Sequence, residues 1–493
     1  MAAAIVETRY GKVEGLTQEG MQVWKGIPYA RPPLGSLRLR APQPPQAWSG
    51  VREAKEFSAI AAQPVNAMGG FLGRNATPPP SGEDCLYLNI WSPAADGQKR
   101  PVLVWIHGGA FIAGSGADPW YDGASFARNG DVVVVTFNYR LGMPGFLYLD
   151  ELGGKDYGYS ANCGLLDQIA ALEWVCDNIE QFGGDPANVT LAGESAGAMS
   201  IGILLAMPRA RGLFQRAILE SGAAHNIQTP EEATSQARAF LEQLGLRENQ
   251  LAELENLPVD KILEAQQLSI RNMRGAPVID GHLVPGKPLD QIASGSAAQV
   301  PLLIGTNRDE ARLFTFMSGR QPTVNQQEQE HLFGSRALEV FATYLQARDD
   351  HSEANAWMDI VTDRVFRIPA LRLAEKQLPH APAIWMYRFD WPSPAFGGRL
   401  GACHALEIPF VWHSLHIELS QLFIEESPAA SPIADTMHAV WTAFIRDGNP
   451  QTDALPDWPR YQLDERLTML FNEQQQLAYD PQGAERQYWD DIL

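Results

Sequence analysis

The sequence has no excess of basic residues, no apolar run of membrane-spanning length and very little cysteine. Lys and Arg number 38 against 58 Asp and Glu, a formal charge of −20. A surface of that sign repels phosphate backbones and anionic lipid, so neither nucleic acid nor a membrane is an expected partner. The longest strongly apolar stretch, around Val132 to Phe137, falls far short of the roughly 20 residues a bilayer-crossing helix needs. None of Cys85, Cys163, Cys176 and Cys403 sits in a C-x-x-C pair, and the 10 histidines show no zinc-binding spacing. A disulfide framework, a metal site and a cofactor are therefore not expected. The opening residues, Met1 to Glu7, carry neither the basic cluster nor the apolar core of a secretory signal. A cytoplasmic location with reduced thiols is the expectation.

Internal repeats and low-complexity linkers are also missing. The Pro-rich stretches at 28–45 and 78–80 are flanked by apolar and aromatic residues and read as irregular surface structure. The expectation is one domain over 1–493, an α/β fold with cap-like helical insertions around 230–275 and 320–380. Residues 101–222 alternate strand and helix patterns. Val102–Ile106, Asp131–Phe137, Asn188–Leu191 and Arg216–Leu219 read as buried strands. A helix between Gly164 and Phe182 places Leu165, Ile169, Leu172, Cys176 and Ile179 on one stripe, and Gly183-Gly184 stops it. Further strands fit Val300–Gly305 and Ala383–Phe389, and 230–275 reads as helical. Strands separated by helices imply a mostly parallel sheet covered on both faces, with ligands at the carboxyl ends of its strands.

The third strand runs into Gly193-Glu194-Ser195-Ala196-Gly197, followed by an apolar helical segment. This is G-x-S-x-G at a strand-to-helix turn, which lifts a serine hydroxyl above a sheet in a strained conformation. A stray match occurs in roughly one chain in five of this length, so the setting carries the argument. Acyl transfer on such a serine needs preorganised N–H donors for the developing oxyanion. Ala196, after the nucleophile, supplies one, and His107-Gly108-Gly109-Ala110-Phe111 after the Val102–Ile106 strand has the small residues to supply the others. The remaining partners should follow in the order acid, then histidine. His404, in a glycine-containing loop beyond the Ala383–Phe389 strand, has the best setting. Asp309 and Glu310 follow the 300–305 strand, and pattern does not separate them.

Ordered matches along the chain resemble the type B carboxylesterases, which include bacterial p-nitrobenzyl esterases and cholinesterases. They are Gly26-Ile-Pro-Tyr-Ala30, Glu83-Asp-Cys-Leu-Tyr-Leu-Asn89, Trp105 to Phe111, Asn138-Tyr-Arg-Leu-Gly142, Gly164-Leu-Leu-Asp-Gln168, Phe182-Gly-Gly-Asp-Pro186 and the serine elbow. The resemblance implies an α/β-hydrolase fold and hydrolysis of carboxylic esters by Ser195, His404 and Glu310 through an acyl-enzyme. It implies an oxyanion hole at Gly109, Ala110 and Ala196, and a supporting polar shell of Glu194, Ser221 and Glu407. Glu83, Arg140 and Asp167 look like the family's structural ion-pair residues.

Departures narrow the expectation. Where secreted relatives carry a second cysteine, this chain reads Ala61-Ala62-Gln63, so Cys85 is expected to be a free thiol. Residues 71–77 hold no tryptophan, and 271–276 lack paired phenylalanines, which argues against choline esters. In the family that the chain resembles, the Gly-Gly-Ala turn is associated with roomy sites that accept bulky or tertiary alcohols, and the resemblance implies the same here. Small-molecule esters and water are the expected partners, and the chain is read as a monomer or weak homo-oligomer. The alternatives are amide, carbamate or lactone hydrolysis on the same residues, or a non-catalytic binding protein.

Overall fold

The central strands carry apolar residues at consecutive positions because both faces of each are covered. In strand Arg100–Ile106, Val102, Val104 and Ile106 enter the core on one side while Leu103 and Trp105 enter the core on the other. Strand Val133–Phe137 divides the same way, with Val133, Val135 and Phe137 opposite Val134.

A computed structural model describes residues 3–64, 79–269, 275–319 and 322–492. Among these, 13 strands form one sheet. Its centre is parallel, in the spatial order Val133–Phe137, Arg100–Ile106, Gly184–Glu194, Arg216–Glu220, Leu302–Asn307, Ile384–Phe389 and Leu467–Phe471. Antiparallel strands Tyr87–Ser92, Met21–Pro28, Gly11–Gln18 and Ala3–Thr8 extend one edge, and Gln476–Tyr479 closes the other. The mixed sheet flanked by helices is the expected architecture. The antiparallel edge over the first thirty residues goes beyond the sequence reading.

Helix Cys163–Asn178 covers one face with Leu165, Leu166, Ile169, Leu172 and Val175. Cys176, expected on its buried stripe, is half-buried; the α-helix ends at Asn178, and a 3₁₀ turn, Ile179–Phe182, carries the chain to Gly183 at φ +86°. Helix Ala430–Asp447 covers the other face through Ile433, Met437, Val440, Trp441 and Phe444. Within 230–275, helix Pro230–Gln243 opens on a capping box between Thr229 and Glu232. Its Phe240 and Leu241 join Ile262 of helix Val259–Ser269 in a core of their own with Met143 and Leu149. Helices Gln326–Phe333, Ala337–Gln346, Glu353–Thr362 and Ile368–Gln377 occupy the second helical stretch.

The residues assigned to fold stability pair as ions. Arg140 grips Asp167 with contacts of 2.7 and 2.8 Å, both side chains buried, and Arg38 grips Glu83 at 2.5 and 2.6 Å. All four cysteines are free, Cys85 included. Among the described residues no helix is long and apolar enough to cross a membrane, and no cluster of three or more side chains could hold a metal ion. Positions 71–77 and 271–274, used above to argue against choline esters, lie outside the described residues.

Candidate active site

The parallel strands end on one edge of the sheet, and the turns that leave those ends carry His107, Ser195, Ser221, Glu310 and, beyond a longer loop, His404. Strand Gly184–Glu194 turns into helix Ala196–Leu204 through Ser195 alone, at φ +53° and ψ −121°. That conformation is strained for an L-residue and persists only where the surroundings enforce it. Here the Ser195 N–H donates to Glu220 O at 2.9 Å, and the Met199 N–H donates to Ser195 O at 2.8 Å. The flanking glycines are required by the end of the neighbouring parallel strand Arg100–Ile106: a Cβ on Gly193 would lie 2.6 Å from Ile106 O, and one on Gly197 1.9 Å. Ser195 is half-buried between fully buried neighbours, and its hydroxyl makes no hydrogen bond to a described residue.

The loop carrying His404 is stitched to the turn after strand Leu302–Asn307. The Asp309 N–H donates to Ala402 O at 2.8 Å, the Ala402 N–H to Asp309 Oδ2 at 3.0 Å, and the Asn307 amide to Cys403 O at 2.7 Å. Asp309 also pairs with Arg312 at 3.0 Å, so its carboxylate is engaged away from the imidazole. Glu310 is the carboxylate that meets the ring: His404 Nδ1–H donates to its Oε2 at 2.6 Å, and the Asn307 N–H donates to its Oε1 at 2.8 Å. Sequence pattern left those two acids open. Geometry separates them.

The other ring nitrogen, Nε2, faces the serine elbow and lies 3.0 Å from Glu194 Oε1. Glu194, read from sequence as a supporting residue, is thus in direct contact with the imidazole. Burial disfavours charge on His404, but the carboxylates of Glu194 and Glu310 outweigh it and push the ring up to about 9. Burial and Glu310 push Glu194 up, opposed by His404. The Ser221 hydroxyl reaches Glu407 Oε1 at 3.5 Å, and the Asn307 amide also bonds Glu407. Burial, helped by the nearby Glu194, Glu220 and Glu310, holds Glu407 well above the usual carboxylate range.

The glycine-rich turn lies against this elbow: a Cβ on Gly108 would stand 2.8 Å from Glu194 Oε2 and 3.2 Å from Ser195 Cβ. Gly109 at φ +107° and Ala110 at φ +56° curl the backbone. The Gly109 carbonyl accepts the N–H groups of Ile112 and Ala113 at 3.1 and 3.0 Å. The N–H groups of Gly109, Ala110 and Ala196 find no acceptor among the described residues. Three unengaged donors beside a strained serine can receive a negatively charged oxygen. Tyr139, stacked on His107 at 4.5 Å, braces this turn by donating its hydroxyl to His107 O at 2.9 Å.

Sequence reasoning missed four contributors. Glu220 lies opposite Glu194 in the strand register, accepts the Trp441 indole N–H at 2.7 Å and is pushed up to about 8 by burial. A carboxylate ending the apolar run Ala217-Ile-Leu219 was its signal. Asn307 is the hub that ties Glu310, Cys403 and Glu407 together. Phe314 and Phe366 flank the His404 ring at 5.1 and 4.7 Å. Phe314 follows Glu310 by one helical turn, which periodicity could have found. Phe366 had no signal. Beside Phe314 opens a mainly apolar cleft of about 240 Å³, walled by Trp357, Met358 and Val361.

The family model described as the carboxylesterase family matches residues 2–489. The para-nitrobenzyl esterase of Bacillus subtilis (strain 168) is 42% identical over 499 residues, covering 99% of this chain and 98% of the relative. The phenmedipham hydrolase of Pseudarthrobacter oxydans is 35% identical, covering 95% of each chain. Among solved structures, the Geobacillus stearothermophilus carboxylesterase EST55 superposes with a TM-score of 0.90 at 42% identity, covering 99% of this chain and 100% of that one.

Proposed function

This chain belongs to the carboxylesterase family and is a carboxylester hydrolase of the α/β-hydrolase fold, and from that premise we propose that Ser195, His404 and Glu310 carry the reaction through an acyl-enzyme. His404 takes the Ser195 proton as the hydroxyl attacks the ester carbonyl, and its Nε2, the nitrogen turned to the elbow, receives that proton. The oxyanion is met by the N–H groups of Gly109, Ala110 and Ala196. His404 then protonates the departing alcohol, and the same imidazole activates the water that frees the acid. Glu310 holds the proton-bearing nitrogen at Nδ1 and stabilises the imidazolium. Glu194, Ser221 and Glu407 support the site from behind, with Glu194 in contact with the base.

The observation that carries this reading is the 2.6 Å contact from His404 Nδ1 to Glu310 with the opposite nitrogen facing the serine turn. Small-molecule esters and water are the reactants. We read residues 1–493 as one domain whose stretches 230–275 and 320–380 are cap-like insertions, acting as a cytoplasmic monomer or weak homo-oligomer. The test is a panel of p-nitrophenyl esters together with a fluorophosphonate probe. The wild-type protein turns over esters and is labelled on Ser195, and Ser195→Ala does neither. A wild-type protein that resists the probe would sink the proposal.

A further inference from the structure

Helices Glu353–Thr362 and Ile368–Gln377 are joined by a π-helical turn, Asp363–Arg367. A π turn holds one residue more than an α turn and so rotates the side chains that follow it; such turns are rare and recur at functional sites. This one is pinned on its outer side. Asp363 accepts two hydrogen bonds from Arg367, each 2.6 Å, and a third from the Tyr344 hydroxyl. That hydroxyl accepts the Trp489 indole N–H at 2.8 Å, and Arg367 also donates to Pro481 O at 3.1 Å. A buried pair so fully bonded holds a single arrangement.

On its inner side the turn meets the proposed base, and Thr362, the residue just before it, meets the neighbour of the proposed acid. The Thr362 hydroxyl accepts the N–H of Ala311, the residue after Glu310, at 3.1 Å. The Phe366 ring lies 4.7 Å from the His404 ring, at 40° to it. Phe314 approaches the imidazole too, but it is 49% exposed whereas Phe366 is 4% exposed. Packing therefore fixes Phe366, and the half-exposed Phe314 stacks against it at 6.0 Å.

We propose that Phe366, presented by this π turn, is a positioning residue for His404, setting the tilt of the imidazole and favouring the imidazolium formed as Ser195 attacks. The inference rests on His404 being the base. One hydrogen bond to Glu310 fixes Nδ1 but lets the ring rock about it. His404 sits in a loop rather than a helix or strand, beside Ala405 at φ +63°. A wall of fixed aromatic carbon limits that rocking, and a π system close to a forming cation attracts it. The charged groups facing the ring are Glu194 and Glu310, while Asp363 and Arg367 on the π turn neutralise each other.

The experiment compares Phe366→Leu with Phe182→Leu. Phe182 is a buried ring that packs on Trp24 at 4.9 Å and on Trp174 at 5.9 Å, apart from both the π turn and the imidazole. F366L is expected to lower kcat by about 2- to 30-fold with KM changed less than about twofold. It should also move the acid limb of the kcat/KM profile to lower pH, since the support for the imidazolium is reduced. F182L should lower the melting temperature comparably and leave kcat and the limb in place. If F366L does not accumulate folded, Phe366→Met, of similar volume without the π face, decides by the same criteria. A wild-type kcat and pH limb in F366L, or a loss confined to KM, overturns the inference while leaving ester hydrolysis intact. A wild-type protein without turnover overturns both.

Discussion

Glu194 Oε1 stands 3.0 Å from His404 Nε2, on the nitrogen proposed to receive the serine proton. The ring thus lies between two acids, Glu310 on Nδ1 and Glu194 beside Nε2. A carboxylate there favours the imidazolium, so it helps the proton-accepting step and opposes release of that proton afterwards. Glu194→Gln keeps the shape and removes the charge. The sign follows directly: with one anion fewer, the His404 pKa falls from its raised value near 9, and the acid limb of kcat/KM moves to lower pH. At pH 6 the variant should then retain a larger share of its own plateau rate than the wild type does. A pH–rate profile on p-nitrophenyl acetate reads this, and coincident limbs would mean that Glu194 is uncharged in the working enzyme.

Glu310 makes a different contribution, because its contact at 2.6 Å decides which nitrogen carries the proton. Glutamine at this position can turn its NH₂ toward Nδ1 and select the wrong tautomer. Glu310→Gln is expected to cost about 10⁴-fold in kcat, by analogy with amidating the acid of a serine-protease triad, with little change in melting temperature. Burst-phase kinetics should show acylation as the slowed step. A variant within about tenfold of wild type, far less than a triad acid's loss, would remove Glu310 from the mechanism.

Local chemistry was legible in the sequence, and long-range chemistry much less so. The elbow could be read because Gly193, Ser195 and Gly197 are adjacent and each answers a steric demand made within a few residues. The turn proposed to hold the oxyanion is local in the same sense. His404 lies 94 residues beyond Glu310, and residue type alone did not single it out from other histidines; its setting in a glycine-containing loop beyond a strand did, and the family resemblance implied the same residue. Asp309 and Glu310 differ by one position. Residue pattern left them open and the family resemblance implied Glu310; the loop that folds back, giving Asp309 the Ala402 N–H and leaving Glu310 the ring, is the physical reason they differ. Phe366 was invisible because the π turn breaks the 3.6-residue period on which helix faces are read.

The oxyanion turn yields a steric test. A Cβ on Gly109 would lie 2.1 Å from Ala113 O, and φ is +107° there, so alanine cannot be accommodated without moving the turn. The donors at 109 and 110 move with it. Gly109→Ala should lower kcat by about 10²- to 10³-fold, the usual cost of losing an oxyanion donor. Because Gly109 is half-buried and Ala110 exposed, circular dichroism and melting should change little. Full activity in this variant would place the oxyanion elsewhere.

The same turn bears on the alcohol. At position 110 the backbone is left-handed and the side chain is only a methyl, and the neighbouring site 109 has no side chain at all. A tertiary alcohol crowds the carbonyl on the side from which the oxyanion donors approach, so a turn with so little side-chain volume should tolerate it. Hydrolysis of tert-butyl acetate is therefore expected alongside that of p-nitrophenyl acetate, at a lower rate because the leaving group is poorer. Ala110→Val adds two methyl groups at this point and, being β-branched at positive φ, strains the turn as well. Its loss on tert-butyl acetate should exceed its loss on ethyl acetate if space at the turn governs acceptance. Equal losses would indicate that valine acts by displacing the N–H donors, and inactivity of the wild type on tert-butyl acetate beside brisk p-nitrophenyl acetate turnover would remove the expectation altogether.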